Sequence, residues 1–170
     1  MKWITRQNVH VDRTASAWLI RNRIDPQAEF AFVEADTDPR RLDGHTFDMR
    51  GAEFGHVGTK CTFETLVERH DLTADAALVE MGRIVRDADV PPSRSRRTEA
   101  GGVLAILSGF RLTAASDEDR LRCTAAVWDA LYAYCQAKVA DMAAHPRTRR
   151  TPRPQLRYSK RVADHLREDV

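Results

Sequence analysis

The feature that most constrains the fold is one long amphipathic segment near the C-terminal end of the chain. Ser116 and the acidic residues after it form a pattern typical of a helix start. His145-Pro146 ends the segment, because proline has no amide hydrogen with which to continue a helix. The spacing between these limits predicts a helix of about 28 residues, long enough to be the spine of a small domain. Its predicted apolar face comprises Leu121, Ala125, Trp128, Tyr132, Cys135 and Val139.

Shorter patterns in the first 110 residues predict the other elements. Alternating polar and apolar residues indicate strands at 2–6, 29–34 and 46–49. Helical spacing indicates four shorter helices, which begin at the N-cap Asp12, at Thr62, at the cap Thr73 and at Thr98. We expect Gly109 to end the last of these. The predicted fold is α+β, mostly α, with about five helices and a small sheet formed by the N-terminal strands.

Charge divides the chain into two parts. Residues 146–170 contain eight Lys or Arg and three Asp or Glu, a net charge of +5, whereas residues 1–145 carry a net charge of −3. Three prolines between 146 and 154 favour an extended segment. We therefore predict a domain over 1–145, followed by a basic linker and tail over 146–170.

Composition argues against several classes of protein. The three cysteines are an odd number without a Cys-x-x-Cys pair, which argues against a disulfide scaffold and for a reducing compartment. The longest apolar run, at 103–107, is too short to span a membrane. The N-terminus has no apolar region typical of a secretion signal, so we expect a cytoplasmic protein without a membrane partner. No nucleotide cofactor motif is present.

The segment between 53 and 64 gathers the side chains best suited to bind a metal. It holds two carboxylates, an imidazole and a thiol, those of Glu53, Glu64, His56 and Cys61. First-row transition metals accept all three ligand types, and nearby glycines allow the loop to fold inward. The structural alternative leaves Glu53 and His56 solvated and makes Cys61 a small core residue. Because Cys61 follows Lys60 and precedes a helix, a reactive thiol is a third interpretation.

Acidic residues outside this segment also have two interpretations each. Asp12 lies where an N-cap is expected, and it is otherwise a candidate metal ligand or an ion-pair partner of Arg13. Asp87 and Asp89 lie near the end of the third predicted helix. We interpret both as surface charge.

Several strings of residues resemble one bacterial family. Lys-Trp-Ile-Thr-Arg at 2–6 and Val-Asp-Arg at 11–13 are similar to the start of the chromate-resistance domain found at the C-terminal end of ChrB proteins. The similarity continues through Glu-x-Gly-His-x-Gly at 53–58 and Cys-Thr-Phe-Glu at 61–64. It covers most of 1–140 and excludes the tail. The resemblance implies a role in bacterial chromate resistance, in which full-length ChrB proteins resemble chromate-responsive regulators of an efflux operon.

The resemblance favours a metal site within the shared strings. Asp12, Arg13, His56 and Glu64 belong to those strings, and an Asp-Arg pair at a helix start is more than packing requires. A divalent first-row ion such as iron, manganese or zinc is the expected cofactor. The predicted metal ligands are His56, Glu64, Asp12, Glu53 and Cys61.

An oxyanion site and two other functions are also open at this stage. Arg13, Lys60 and Arg86 are predicted to hold chromate or another small oxyanion, since the guanidinium fork suits such oxygens. The alternative is a sensing module without catalysis, which would contact DNA through 146–170. The weakest hypothesis is chromate reduction by the Cys61 thiol, because one thiol supplies one of the three electrons required. The sequence identifies no reaction.

Overall fold

A computed structural model describes residues 1–90 and 97–145. These residues form a three-stranded sheet and five α-helices, which confirms the predicted α+β, mostly α fold. The strands are β1 (Lys2–Arg6), β2 (Glu29–Val33) and β3 (His45–Thr46). The helices are α1 (Val11–Leu19), α2 (Thr62–Arg69), α3 (Ala76–Asp89), α4 (Thr98–Thr113) and α5 (Asp117–Ala144). A π-helical turn at Ile20–Ile24 continues α1, and short 3-10 turns lie at Pro39–Arg41 and Leu72–Ala74.

The chain divides into two compact units, Met1–Val139 and Ala140–Val170. The first contains the sheet, helices α1 to α4 and most of α5. Of the second, the structure describes the end of α5 and His145. The predicted basic linker and tail at 146–170 lie outside the described residues, so that boundary stays a prediction.

The sheet is parallel and has the strand order β2-β1-β3. Parallel neighbours need a crossover connection, which α1 and its π-helical turn provide between β1 and β2. The chain then passes to the opposite side of β1, where Trp3 pairs with His45 and Ile4 with Thr46. All three strands therefore end at the same edge of the sheet, with β1 in the centre.

The core lies where the helices cover the sheet and one another. Strand β1 and all five helices contribute side chains that are almost completely buried, and Ile20 of the π-helical turn and Phe47 after β3 add to them. Examples in chain order are Trp3, Leu19, Phe47, Phe63, Ile84, Leu107 and Trp128. Helix α1 contacts α2, α3 and α4, so it is the central helix of this layer. None of the helices in the described parts of the chain combines the length and apolar character needed to cross a membrane.

The long helix is confirmed, but its buried face differs from the predicted one. The buried residues are Arg120, Thr124, Trp128, Leu131 and Cys135. Arg120 takes a core-facing position because its guanidinium donates to the Val9 carbonyl and to the Asp117 carboxylate, both at 2.9 Å. Apolar periodicity misses such a buried arginine, so Leu121, Ala125 and Tyr132 are predicted where Arg120, Thr124 and Leu131 are buried, while Trp128 and Cys135 belong to both faces.

Three predicted helix limits are wrong. His10, not Asp12, occupies the N-cap position of α1. Asp75, not Thr73, caps α3, with its carboxylate accepting from the Ala77 and Leu78 amides at 3.0 and 3.1 Å. Helix α4 passes through Gly109 to Thr113, and Gly109 does not adopt the left-handed conformation that ends many helices.

Gly82 lets α3 pack closely on α2, which gives a test of the helix packing. A Cβ atom at Gly82 would lie 2.9 Å from Glu64 Cγ and 3.2 Å from the Phe63 ring, whereas one at Gly109 would have no neighbour within 4 Å. We expect Gly82→Ala to destabilise the protein by about 1–3 kcal/mol through overpacking. The control Gly109→Ala should stabilise it by roughly 0.5–1 kcal/mol, because alanine loses less backbone entropy in a helix. Urea unfolding measures both, and equal stability of the two variants would contradict this packing.

Candidate metal centre

The candidate site begins at Asp12, which caps a helix other than its own. Asp12 is the second residue of α1 and is 1% exposed. Its Oδ2 accepts from the Thr62 amide at 2.7 Å, and its Oδ1 accepts from the Phe63 amide at 2.9 Å. These amides open α2, whose N-terminus favours negative charge. The Asp12 carboxylate is therefore held in place by the helix that it caps.

Asp89 likewise accepts from an amide at the start of another helix. It is the last residue of α3, and its Oδ1 accepts a long 3.4 Å hydrogen bond from the Asp12 amide in the first turn of α1. Burial raises the pKa of Asp89 to about 6, and the negative charges of Asp12 and Asp48 act in the same direction. The pKa of Asp89 is therefore raised first by burial and second by its negative neighbours.

His56 extends from the loop that precedes α2 toward the carboxylates of Asp12 and Asp48. Its Nε2 lies 3.1 Å from Asp12 Oδ2 and 3.4 Å from Asp48 Oδ1, while nearly half of its side chain stays exposed. The hydrogen bonds with Asp12 and then Asp48 raise the pKa of His56 to about 10. The imidazole is therefore protonated at neutral pH when no metal competes for its nitrogen.

The loop is shaped by a turn at Asp48, directly after β3. Asp48 has a φ of 47°, and its amide donates to the Phe54 carbonyl at 2.9 Å. The carboxylate accepts from Thr62 Oγ1 at 2.8 Å and from Arg13 Nε at 2.9 Å. Burial alone would raise the pKa of Asp48, but His56 and Arg13 hold it below its usual value. This turn places Asp48 behind His56.

Three side chains bring metal-binding atoms together within the described residues. One ligand atom each from Asp12, His56 and Asp89 lies within 4.8 Å of the others. One nitrogen and two carboxylate oxygens suit manganese, iron or zinc. Asp48 Oδ1 lies 3.4 Å from the same Nε2 atom, so it pairs with the protonated imidazole and would lose this contact to a metal ion bound at that nitrogen.

The structure does not bring two of the predicted ligands from α2 into this cluster. The Glu64 carboxylate forms an ion pair with Arg86 at 2.9 Å and accepts from the Cys61 amide at 3.2 Å. Cys61 is completely buried, and its sulfur lies 3.9 Å from the Gly82 carbonyl. Burial raises the pKa of the Cys61 thiol well above its usual value, which disfavours a reactive thiolate.

The remaining predicted residues are divided between surface ion pairs and the site itself. Glu53 lies 2.8 Å from His45 Nδ1, and Lys60 lies 2.6 Å from a carboxylate oxygen of Glu68. Arg13 is the predicted oxyanion ligand that does lie at the site, where it contacts Asp48.

Sequence reasoning missed Asp89 as a site residue. Asp89 closes a helix, where the negative end of the helix dipole disfavours a carboxylate. An aspartate at the C-terminal end of a predicted helix is thus a sequence signal that could identify Asp89 as a site residue. The third helix was interpreted from its apolar face, and a carboxylate at the edge of that face looked like ordinary surface charge.

The cluster opens into a cleft of about 450 Å³. Arg6 lines this cleft directly after β1, Ala35 follows β2, and Asp48 follows β3, so the cleft lies at the carboxyl edge of the sheet. His56 and Asp89 form part of its wall. Ligands of parallel sheets commonly bind at this edge, where connections leave in opposite directions.

Comparison with known proteins identifies the family of the chain. A family model described as ChrB, C-terminal domain, matches residues 3–135. The chain belongs to the ChrB C-terminal domain family. Protein ChrB of Cupriavidus metallidurans is 38% identical over 135 residues, which are 78% of this chain and 40% of that relative. The chain thus spans less than half the length of this ChrB protein. No solved structure matches the present chain.

The three cluster residues of this ChrB family member lie inside the matched region, as do all the other predicted ligands. Residues 146–170 lie outside it. The family match therefore applies to the part of the chain that forms the site.

The protonation of His56 can be tested by NMR titration of the metal-free protein. We expect the His56 ring to titrate near pH 10, whereas His10 should titrate below 6.5 because burial and the charge of Arg111 lower its pKa. Asp48→Asn should lower the His56 pKa. Since folding raises this pKa, its stabilising effect should be complete below pH 6.5 and lost as pH rises through about 10. A His56 midpoint near 6.5 would contradict the observed contacts.

Proposed function

We propose that this ChrB-family domain binds one divalent first-row transition-metal ion through Asp12, His56 and Asp89, and that it serves chromate resistance as a metal-binding domain. The observation that carries the proposal is the convergence of three ligand atoms within 4.8 Å from three separate elements. These elements are α1, the loop before α2, and the end of α3.

Charge balance supports a divalent cation. The carboxylates of Asp12, Asp48 and Asp89 bring three negative charges, and the adjacent Arg13 brings one positive charge. A divalent ion beside a neutral His56 would neutralise this group. Without such an ion, the group lacks positive charge. His56 is then protonated, and the negative neighbours add to burial in raising the pKa of Asp89.

The surrounding residues would orient the ligands before a metal arrives. The α2 amides hold both oxygens of Asp12, and Ser16 Oγ donates to Oδ1 at 3.2 Å. Asp48 Oδ1 lies 3.4 Å from His56 Nε2 and helps to hold the protonated ring in place. A metal bound to three side chains has further positions for water or a ligand, and it would supply Lewis-acid or redox chemistry there.

The sensing alternative depends on residues that the structure does not describe. Contact with DNA through 146–170 stays a prediction, as does a cytoplasmic location. The thiol hypothesis loses support because Cys61 is buried and its pKa is raised.

Calorimetric titration of the chelator-treated protein with Mn²⁺ or Zn²⁺ tests the proposal. We expect one equivalent to bind, with affinity at least tenfold weaker in His56→Ala and Asp89→Asn. His45→Ala is the matched control, because His45 also pairs with a carboxylate at 2.8 Å but lies outside the cluster. At pH 7.5, binding should release close to one proton, since His56 must deprotonate to become a ligand. Repeating the titration in buffers of different ionisation enthalpy measures that proton.

Unchanged affinity in both site variants would contradict the proposal. An equal loss in His45→Ala would also contradict it, because it would indicate nonspecific binding to surface histidines. Circular dichroism of each variant shows whether the fold is retained.

A further inference from the structure

Arginines line a second part of the cleft, and none of them is a ligand of the proposed metal site. Arg6 reaches the cleft from the end of β1, Arg13 from the first turn of α1 and Arg111 from the last turn of α4. Two consecutive elements, β1 and α1, and the distant α4 thus bring arginines to one cavity. The carboxylates of Asp48 and Asp89 lie in the same cavity.

Arg13 is fixed in place and retains unused donors. Its side chain is only 10% exposed. Nε donates to the Asp48 carboxylate, and Nη1 donates to the carbonyls of Gln7 and Asn8 at 3.3 and 3.0 Å. Nη2 has no protein partner within residues 1–90 and 97–145, and it is not sealed from solvent. Because Arg13 lines the cleft, its remaining donors are available to a ligand there.

Arg6 and Arg111 add positive charge that protein carboxylates do not neutralise. Neither forms an ion pair with any residue that the structure describes. His10 also lines the cleft, and its Nε2 lies 3.5 Å from Ser108 Oγ. Burial lowers the pKa of His10, and the positive charges of Arg111, Arg120 and Arg13 lower it further.

We propose that Arg6, Arg13 and Arg111 form a subsite for a dianionic tetrahedral oxyanion group, beside the carboxylates that hold the metal. Guanidinium groups suit such oxygens because they present paired donors in a fixed plane. The subsite belongs to the same cleft as the proposed metal centre, but its donors are separate and do not require the metal.

The volume of the cleft helps to decide which kind of molecule carries the oxyanion group. A cleft of about 450 Å³ falls in the usual range for small-molecule sites, and one inorganic anion fills only part of it. A free oxyanion and the phosphoryl group of a small organic ester offer the same chemistry to the arginines. The probes must therefore include both.

The test measures binding of inorganic phosphate, chromate and phenyl phosphate to the intact metal-free protein at low salt, by calorimetry. We expect saturable binding of at least one dianion, with the Kd raised at least tenfold in Arg111→Gln and in Arg6→Gln. Arg122→Gln is the control, since it removes the same charge from the surface of α5, outside the cleft. Its Kd should stay within twofold of wild type. Comparable affinity for all three probes would assign the subsite to the free oxyanion, and a preference for phenyl phosphate would assign it to an ester.

Absence of saturable binding for all three probes would overturn the inference. Wild-type affinity in both cleft variants, or an equal loss in Arg122→Gln, would also overturn it. Because these measurements use metal-free protein, their failure is distinct from failure of the metal proposal. If the protein binds a metal ion but none of the three dianions, only the subsite is refuted.

Discussion

The buried carboxylate of Asp12 is the interaction on which the rest of the site depends. It accepts from the first two amides of α2 and from Ser16, and it contacts His56. Removing an ionised carboxylate from water costs several kcal/mol unless such partners surround it. Here the partners come from the chain segments that meet at the site. The same contacts therefore fix the junction of α1 with α2 and aim the ligand oxygens.

The second constraint is that the site collects more negative charge than the fold needs. Asp12 is satisfied as a helix cap, yet Asp89 and Asp48 lie beside it, and burial together with these negative charges raises the pKa of Asp89 to about 6. A fold selected for stability alone would gain by neutralising this excess. This excess lies beside an open cleft that arginines also line, as a site for a cation and an anionic ligand would require.

Local patterns predicted the elements well, whereas the site depends on contacts between distant segments. Alternation located β1 and β2, and the long apolar spacing located α5. Asp12 and His56 were both predicted as ligands, although Asp12 was assigned to cap its own helix. Glu64 was a plausible ligand by its distance along the chain, but the helical turn directs it toward Arg86. Asp89 lies 77 residues from Asp12, and only the packing of α3 against α1 brings them together.

Paramagnetic broadening by Mn²⁺ would test the metal centre most directly, because it locates the ion instead of inferring it from affinity. Substoichiometric Mn²⁺ is added to protein whose histidine rings are labelled with ¹⁵N. The proposed metal centre at Asp12, His56 and Asp89 predicts that the His56 ring signals broaden first, followed by those of His10 in the same cleft. The signals of His45 and His145 should remain sharp. Broadening that begins at His45, or that affects all histidine rings equally, would contradict this assignment.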